Sequence, residues 1–411
     1  MRTVFNTPPS PLNDRAGGKS LDLKNNSPVI AGFFIFGGMK KIPLLLLLFQ
    51  VVCFGQQVDN VSIDSKIMGE KRELLVYTPF GYGEATDNTF DVFYVFDSQN
   101  RDAFDLAHSL LAYQETGGKS FIVVGIVSEN RNKDMLPAQQ TAAYREKWGE
   151  NAGNADRFMA FLCNEAMPYL AAHYRVGGTR IAVGHSNSAA FVLYTLMKDQ
   201  GLFNDYIAIS PNFANDEYAL AKQFEAFDYS KLLQRKFVYV SHAAEETIQG
   251  WEIWKTGRER FYAFAGQSEA LKKKLDVVVK SYPNEGHWST YLPSLQNGLR
   301  EYFAYEERVA NDYSSETYSV TITVVVPDKD DVVFLTGNQP ELGNWDPGKI
   351  QLIRKSDFVR ELTLKLHSPA LFKFTKGSWA TEGSVKGFQG NIKIDTEETQ
   401  RFAFEVLRWN G

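Results

Sequence analysis

A serine in a tight turn is the residue of this chain whose setting best suits covalent chemistry. Ser186 lies in the segment IAVGHSNSAAF, residues 181–191, where a short apolar run leads through Gly-His-Ser-Asn-Ser into the helix-like stretch AAFVLYTLMKD. A strand, a tight turn and a helix, with serine in the turn, expose a hydroxyl as a nucleophile. Such a turn needs small neighbours, and Gly184 meets that need more fully than Ser188 or Ala189. The pattern favours a catalytic Ser186 over a buried or helix-capping serine.

Acyl transfer from such a serine requires a general base, and the chain has six histidines. His287 lies in the loop SYPNEGHWSTYLP, after the last long apolar strand and before a helix, where a histidine can reach across the sheet edge to Ser186. His242 ends the preceding strand and is the alternative base. The remaining histidines fall inside helical patterns, in the turn itself or outside this region, namely His108, His173, His185 and His367.

The base in turn needs a carboxylate that holds its tautomer and stabilises the imidazolium. Where the serine lies in a strand-turn-helix of this kind, the acid lies between the serine and the histidine in the chain. The stretch VSHAAEETIQG puts Glu245 and Glu246 in that interval, just after a strand. We take Glu245 as the acid, with Glu246 as the alternative. A solvated loop or the first turn of a helix is the competing interpretation of this pair. Two other carboxylates fit less well. Asp276 lies at the start of a strand, at the sheet edge opposite to Ser186, and Glu285 is very close in sequence to His287.

A tetrahedral intermediate also needs two amide donors aimed at its oxyanion. One is expected to be the backbone N–H of Asn187, directly after the nucleophile. The other is expected from the loop after the strand that ends in FDSQN, at the N–H of Gln99. The side chains of Asp97 and Asn100 are expected to fix this loop.

Strand-like and helix-like segments alternate from about residue 58 to residue 305. The strand-like runs are short, continuous and apolar, as in strands covered on both faces. Helical patterns such as 155–174 and 294–307 separate them. This alternation predicts an α/β fold with a doubly wound, mostly parallel sheet, in which sites form at the carboxyl ends of strands. The strand-like runs are 91–97, 121–127, 180–184, 205–210, 236–241 and 275–282.

Length and charge restrict the classes of partner and cofactor. The 411 residues exceed one ordinary domain and predict a second module. The formal net charge of −5 excludes a basic excess, so neither nucleic acid nor an anionic membrane surface is an expected partner. No Cys or His spacing indicates zinc. The chemistry outlined above requires no metal and no organic cofactor.

The N-terminal residues read as two segments that precede the folded protein. Residues 1–38 are expected to be a non-native or untranslated extension, and 39–55 a signal peptide with a lysine-rich start and a short apolar run. We expect translation to begin at Met39 and the mature chain to begin near Gln56. Cys163 is then the single remaining cysteine, so no intramolecular disulfide can form. These features predict an exported protein, periplasmic or secreted, without a membrane span in its mature chain.

Several separated motifs, in the right order, resemble the putative esterase family of α/β-hydrolases. That family includes esterase D, feruloyl esterases, mycolyltransferases and enterochelin-type siderophore esterases, and the closest resemblance is to exported siderophore-esterase-like members. The resemblance covers roughly residues 60–305 and implies an α/β-hydrolase fold and an ester substrate. The motifs are VFYVFDSQN at 92–100, FIVVGIVSENRNKDMLP at 121–137, AAHYRVGGTRIAVGHSNSAA at 171–190, FNDYIAISPNF at 203–213 and YPNEGHWSTYLPSLQNGLREYF at 282–303.

The resemblance also implies roles for individual residues. It assigns Ser186 as the nucleophile, His287 as the base, and Asn187 and Gln99 as the oxyanion amides. The chain departs from the family at Ser188–Ala189, where members usually have Gly-Gly.

A second module is predicted after a polar linker at 306–318. Residues 319–411 alternate short strand-like runs with Gly, Pro, Asn and Asp turns, which predicts a small antiparallel β-sandwich. The segment VVFLTGNQPELGNWDPGKIQL resembles the starch-binding domains of amylases and glucoamylases. Trp379 is the better candidate for stacking on a sugar, and Trp345 is expected to be mainly structural. A docking or stabilising domain is the alternative interpretation.

The combined prediction is an exported serine esterase that forms an acyl-enzyme on Ser186 and acts on a small-molecule or glycan-linked ester. One alternative is an acetyl or feruloyl carbohydrate esterase tethered to polysaccharide by its β-domain. Another is a non-catalytic binding or scaffold protein on the same fold. The segments 135–151 and 251–266 are expected to shape the substrate pocket. Arg131 and Arg145 are candidates for binding an anionic substrate, but the favoured interpretation is that they are solvated surface residues.

Overall fold

The part of the chain that the computed structural model describes begins at residue 57. It comprises residues 57–80, 82–83, 89–113, 119–232, 234–388, 390–395 and 398–410. The predicted extension 1–38 and signal peptide 39–55 lie outside the described residues. Among the described residues, no helix is both long and apolar enough to cross a membrane.

An eight-stranded sheet forms the centre of the first part of the chain, in the order β1-β2-β4-β3-β5-β6-β7-β8. The strands from β3 to β8 pair in parallel, whereas β1, β2 and β4 pair antiparallel to one another in that order. The predicted α/β fold with a mostly parallel sheet is therefore confirmed. The strands are β1 Gln57–Ser65, β2 Glu70–Thr78, β3 Phe90–Val95, β4 Phe121–Ile126, β5 Val176–His185, β6 Asp205–Ile209, β7 Lys236–His242 and β8 Leu275–Ser281.

Helices cover both faces of this sheet, which explains why its central strands are apolar throughout. Phe158 and Phe191 belong to the core on one face, and Phe104 and Leu295 to the core on the other. A π-helical turn at Leu162–Ala166 joins two of the helices. The helices are α1 Arg101–Ala112, α2 Arg131–Met135, α3 Ala142–Trp148, α4 Ala155–Phe161, α5 Met167–His173, α6 Asn187–Lys198, α7 Asn215–Ala226, α8 Ile253–Gln267, α9 Glu269–Lys274 and α10 Tyr291–Asn311.

Two smaller sheets follow α10 and share one apolar core, to which Ile322, Phe372 and Phe404 belong. Their pairing is antiparallel, as predicted, except that β9 and β17 run parallel. Helix α10 continues to Asn311, inside the segment predicted as a linker. The strands are β9 Thr317–Val325, β10 Phe334–Gly337, β11 Ile350–Gln351, β12 Ile353–Arg354, β13 Val359–His367, β14 Ala370–Thr375, β15 Gly383–Val385, β16 Ile392–Ile394 and β17 Gln400–Trp409.

A close approach of two backbones requires glycine at the end of β5. A Cβ atom built on Gly184 would lie 2.6 Å from both the carbonyl carbon and the carbonyl oxygen of Ser188. Such distances are shorter than any tolerable contact, and the neighbouring atoms are backbone that cannot rotate away. Gly184 therefore lets α6 begin directly over the strand that leads into it. The small residue that sequence reasoning expected here is needed for this packing.

We expect Gly184→Ala to lower the free energy of unfolding by about 1–3 kcal/mol, because the added methyl group overpacks the turn. Urea unfolding followed by circular dichroism measures the change. Gly178→Ala in the same strand is the control, since a Cβ there meets no described atom within 4 Å. Equal stability of the Gly184→Ala variant and the native protein would show that the turn can move to accept a side chain.

Candidate active site

Ser186 has a strained backbone that several hydrogen bonds hold in place. It lies between β5 and α6 with φ 62° and ψ −116°, a left-handed conformation that costs free energy in a non-glycine residue. Its N–H donates to the carbonyl of Ile209 at 2.9 Å, and its carbonyl accepts from the N–H groups of Ala190 at 3.0 Å and Asn212 at 3.1 Å. The turn is thus tied to β6, to α6 and to the loop after β6 at the same time.

Asn187 follows as the first residue of α6, so its N–H has no partner within the helix. Its side chain is held at both ends, because its Nδ2 donates to Asn132 Oδ1 and its Oδ1 accepts from Asn212 Nδ2, each at 2.8 Å. A free amide at a helix N-terminus is a suitable donor to an anion. The backbone at Asn187 can therefore serve as one half of an oxyanion hole.

The loop after β3 provides a second free amide at Gln99. The N–H of Ser98 donates to Ile126 at 3.1 Å, and that of Asn100 donates to Asp97 at 3.0 Å. Within the described residues, the N–H of Gln99 makes no such backbone bond. The Gln99 side chain fixes the loop instead, since its Oε1 accepts from the N–H of Ser128 at 3.2 Å. Of the three successive amides, the one at Gln99 is available to a ligand.

A partly buried ion pair joins this loop to the turn at Ser186, and sequence reasoning missed it. Arg131 donates to both carboxylate oxygens of Asp97, at 2.6 and 2.7 Å, and to the carbonyl of His185 at 2.9 Å. The Ser188 hydroxyl also donates to Asp97, at 2.7 Å, and accepts from the N–H of His185 at 2.7 Å. The interpretation of Arg131 as a solvated surface residue is therefore wrong, because its guanidinium spans two loops of the site.

His287 and Glu245 lie side by side in the interior. The Nδ1 atom of His287 is 3.6 Å from Oε1 of Glu245, and both side chains are buried. Neither ring nitrogen of His287 has a hydrogen-bond partner among the described residues. Its Nε2 therefore makes no hydrogen bond with the Ser186 hydroxyl in this structure. Catalytic hydrogen bonds of this kind often tighten only when substrate is bound.

Contacts between neighbouring residues bring His287 to the nucleophile turn. His185, directly before Ser186, approaches the His287 carbonyl through its Nε2 at 2.8 Å, and the two imidazole rings lie 4.6 Å apart. Burial, together with the nearby His287, lowers the pKa of His185 to about 4. His185 is therefore neutral at physiological pH and can donate this hydrogen bond without adding a positive charge.

The carboxylate of Glu245 stays ionised although it is buried. Burial alone raises its pKa, but nearby groups outweigh that effect and lower the pKa to about 2, among them His287, Ser210 and the N–H of Ala243. The Ala243 amide donates to Oε1 at 3.0 Å. Glu246 is more exposed and turns toward Arg258 at 2.8 Å. Of the two predicted carboxylates, the structure brings Glu245 and not Glu246 against His287.

The alternative base His242 faces another partner. Its Nδ1 lies 2.9 Å from the hydroxyl of Tyr262, and burial lowers its pKa. His242 is the last residue of β7, the strand that leads to Glu245, yet its ring is directed to α8. This geometry favours His287 over His242 as the group that serves Ser186.

Aromatic side chains from the segment 251–266 surround the imidazole of His287. The rings of Trp251 and Trp254 stack on each other at 4.6 Å and meet His287 edge-on at 4.9 and 5.0 Å. Trp288 packs on the same ring at 4.7 Å and is 72% exposed. The prediction that this segment shapes the substrate pocket stays a prediction, but its indoles do lie at the candidate base. Their positions could not be read from the sequence because the insertion has no strong motif.

A cavity of about 430 Å³ lies beside α6. Residues 135–140 line it, together with Tyr194 and Met197 of α6. Ser186 and His287 are not among the described residues of its wall. Asn212 connects the two regions, because it lines the cavity and hydrogen-bonds Ser186 and Asn187. Part of the predicted pocket segment 135–151 thus borders this cavity, which Asn212 links to Ser186.

Comparisons with known proteins agree with this architecture. The family model described as Putative esterase matches residues 65–302. An IroE-like serine hydrolase from Shewanella oneidensis is 26% identical, with a TM-score of 0.54 over 60% of this chain and 80% of that one. The BES protein from Bacillus cereus is 21% identical, with a TM-score of 0.51 over 59% of this chain and 93% of that one. No curated protein matches. The family match ends before 319–411, so the starch-binding-like interpretation of that segment stays a prediction.

The neutral state of His185 gives the protein a defined pH dependence. Its pKa is 6.5 in a model compound and about 4 in the folded protein, so between these values the unfolded chain binds more protons. Stability therefore falls as the pH decreases from about 6.5 toward 4. We expect His185→Gln to weaken this dependence, measured as the urea midpoint at pH 7, 6 and 5. His173→Gln, at an exposed position on α5, is the control. An unchanged slope in His185→Gln would rule out the buried neutral imidazole.

Proposed function

The chain belongs to the Putative esterase family, and on that basis we propose that it is a serine esterase that cleaves carboxylic esters through an acyl-enzyme on Ser186. The observation that carries this proposal is the convergence of three features at one sheet edge. These are the strained serine turn at φ 62°, the free amides at Asn187 and Gln99, and the buried His287–Glu245 pair at 3.6 Å. The hydrolase from Shewanella oneidensis supports the serine chemistry, because its structure is described as that of a serine hydrolase.

The reaction proceeds in two halves. Ser186 Oγ attacks the ester carbonyl carbon while His287 Nε2 takes its proton, and the oxyanion accepts hydrogen bonds from Asn187 and Gln99. The intermediate collapses, the C–O bond to the alcohol breaks, and His287 returns the proton to the leaving alkoxide. Water then attacks the acyl-enzyme with His287 as base, which releases the acid and restores the serine hydroxyl. Glu245 stabilises the imidazolium in both halves.

The aromatic surroundings of His287 support an ester with an aromatic group as the substrate. An aromatic ring stacks favourably against indole faces and edges, and Trp288 offers a largely exposed ring beside the base. The resemblance to siderophore-esterase-like proteins is compatible with this choice. The lysine-led apolar segment at 39–55 supports an exported enzyme, periplasmic or secreted.

We expect the native protein to react with a fluorophosphonate probe and Ser186→Ala to lose this labelling. Ser109→Ala is the matched control, because Ser109 is an exposed serine on α1 and its loss should not affect labelling. His287→Ala should lower turnover of an aryl ester by about 10³-fold or more while the fold is retained. A nearly normal rate in His287→Ala would move the base to His242. A folded native protein that is never labelled would favour the scaffold alternative.

A pair of tryptophans in the C-terminal sheets favours the carbohydrate-esterase alternative. Trp345 and Trp379 lie 6.5 Å apart at an interplanar angle of 34°, and Trp379 is 45% exposed. Trp345 adopts φ 61° in the turn after Gly343. Two adjacent indoles can stack on successive sugar rings, so Trp345 is a second candidate contact as well as a structural residue.

If this surface binds glycans, the protein should be retained by insoluble starch or another polysaccharide, and Trp379→Ala should reduce the bound fraction about 10-fold or more, as for removal of an aromatic hot spot. Phe358→Ala is the control, because Phe358 is a comparably exposed aromatic residue elsewhere in the same sheets. Equal retention of both variants, or no retention of the native protein, would favour a docking or stabilising role for residues 319–411.

A further inference from the structure

Arg258 is a buried arginine shared by two carboxylates. It lies on α8 and is only 8% exposed. Its Nη1 donates to Oε2 of Glu245 at 3.2 Å, and its Nη2 contacts Oε2 of Glu246 at 2.8 Å. An arginine side chain can serve two carboxylates at once because its guanidinium is planar and carries donors on separate nitrogens. A lysine ammonium is a point charge and cannot reproduce this geometry.

The contacts of Glu245 divide between its two oxygens. Oε1 accepts from the N–H of Ala243 at 3.0 Å and faces His287 Nδ1 at 3.6 Å. Oε2 is occupied by Arg258. With both oxygens held, the carboxylate cannot rotate, and the oxygen nearer the imidazole is the one that remains directed at it.

Aromatic side chains around His287 strengthen the effect of the Arg258–Glu245 contact. The stacked indoles of Trp251 and Trp254, shortly before Arg258 in the chain, meet His287 edge-on. They exclude water from the imidazole, so charges inside the cluster act over a low dielectric. Removing one partner of such a buried pair leaves an uncompensated charge, which is costly.

We propose that Arg258 is a positioning residue of the esterase reaction, which fixes the Glu245 carboxylate so that Oε1 supports His287. The proposal rests on the proposed function, because it assumes that His287 is the base. Segment 251–267 thereby does two things at the site: its indoles shield the imidazole, and its arginine holds the carboxylate that orients it.

The positive charge of Arg258 has a second effect with a definite sign. Protonation of the His287–Glu245 pair inactivates it, and the Arg258 guanidinium, which contacts Oε2 of Glu245, opposes a gain of positive charge there by Coulomb repulsion. Loss of this charge should therefore move the acid limb of the rate profile to higher pH. The charged and titratable groups packed around the pair are Arg258, Glu246, His185, His242 and Tyr262.

Three variants separate charge, geometry and fold. Arg258→Met removes charge and donors, Arg258→Lys keeps the charge, and Arg260→Met is the matched control. Arg260 lies on the same helix, where it pairs at the surface with Glu225 at 2.6 Å. The readouts are kcat and KM for an aryl ester from pH 5 to 9, fluorophosphonate labelling, and urea unfolding.

We expect Arg258→Met to lower kcat about 10- to 100-fold, as expected for a misplaced catalytic group, with little change in KM. Its acid limb should shift upward by about 1 pH unit. Arg258→Lys should fold, keep the native acid limb and still lose kcat. Arg260→Met should behave like the native protein. If Arg258→Met proves unstable, Arg258→Lys alone tests whether the arginine's geometry, and not only its charge, is required.

Other outcomes overturn the proposal in distinguishable ways. Native kcat and an unshifted acid limb in a folded Arg258→Met, or full kcat in Arg258→Lys, would contradict the positioning role while leaving the esterase intact. A decrease in stability of Arg258→Met without a change in the rate profile of its folded fraction would reduce Arg258 to a structural residue. If the native protein shows neither labelling nor turnover, the proposed function fails, and the role of Arg258 fails with it.

Discussion

The left-handed turn at Ser186 is the constraint on which the rest of the site depends. A non-glycine residue keeps such dihedral angles only where its surroundings overdetermine them. Here the backbone of Ser186 is bonded to Ile209 on the neighbouring strand, to Ala190 in the helix that follows, and to Asn212 in the next loop. Gly184 lets the helix begin close enough for these bonds to form. Because one residue joins a strand, a helix and a loop, its hydroxyl is presented at a fixed point of the sheet edge.

Two arginines, Arg131 partly buried and Arg258 buried, then connect the loops that flank this turn. Arg131 binds Asp97 and the His185 carbonyl, and so ties the loop after β3 to the turn at Ser186. Arg258 binds Glu245 and Glu246, and so ties α8 to the carboxylate beside His287. A partly buried guanidinium with carboxylate and carbonyl partners gives directional, rigid connections at the cost of desolvation. Catalytic groups carried by loops gain precision in this way.

Serine and alanine at positions 188 and 189, in place of glycine, are compatible with a turn held by contacts to its neighbouring loops. The close approach that excludes a side chain is concentrated at Gly184, and Ser188 lies on the other side of it. Ser188 is fully buried, and its hydroxyl is hydrogen-bonded to Asp97 and to the backbone of His185. A polar side chain therefore adds a contact between the turn at Ser186 and the loop after β3, at a position where glycine would offer none.

The sequence by itself determined the α/β alternation, the mostly parallel sheet and the candidates Ser186, Glu245 and His287, because apolar periodicity and the strand-turn-helix pattern are local signals. It also located the residues around Gln99 on the loop after β3. Only the tertiary structure decided which of Glu245 and Glu246 faces His287, that His242 turns to Tyr262, and that Arg131 is an ion-paired bridge. It also decided that β17 runs parallel to β9 and that Trp251, Trp254 and Arg258 meet the His287–Glu245 pair. These contacts join residues far apart in the chain, and a side chain's partner there depends on how the elements pack.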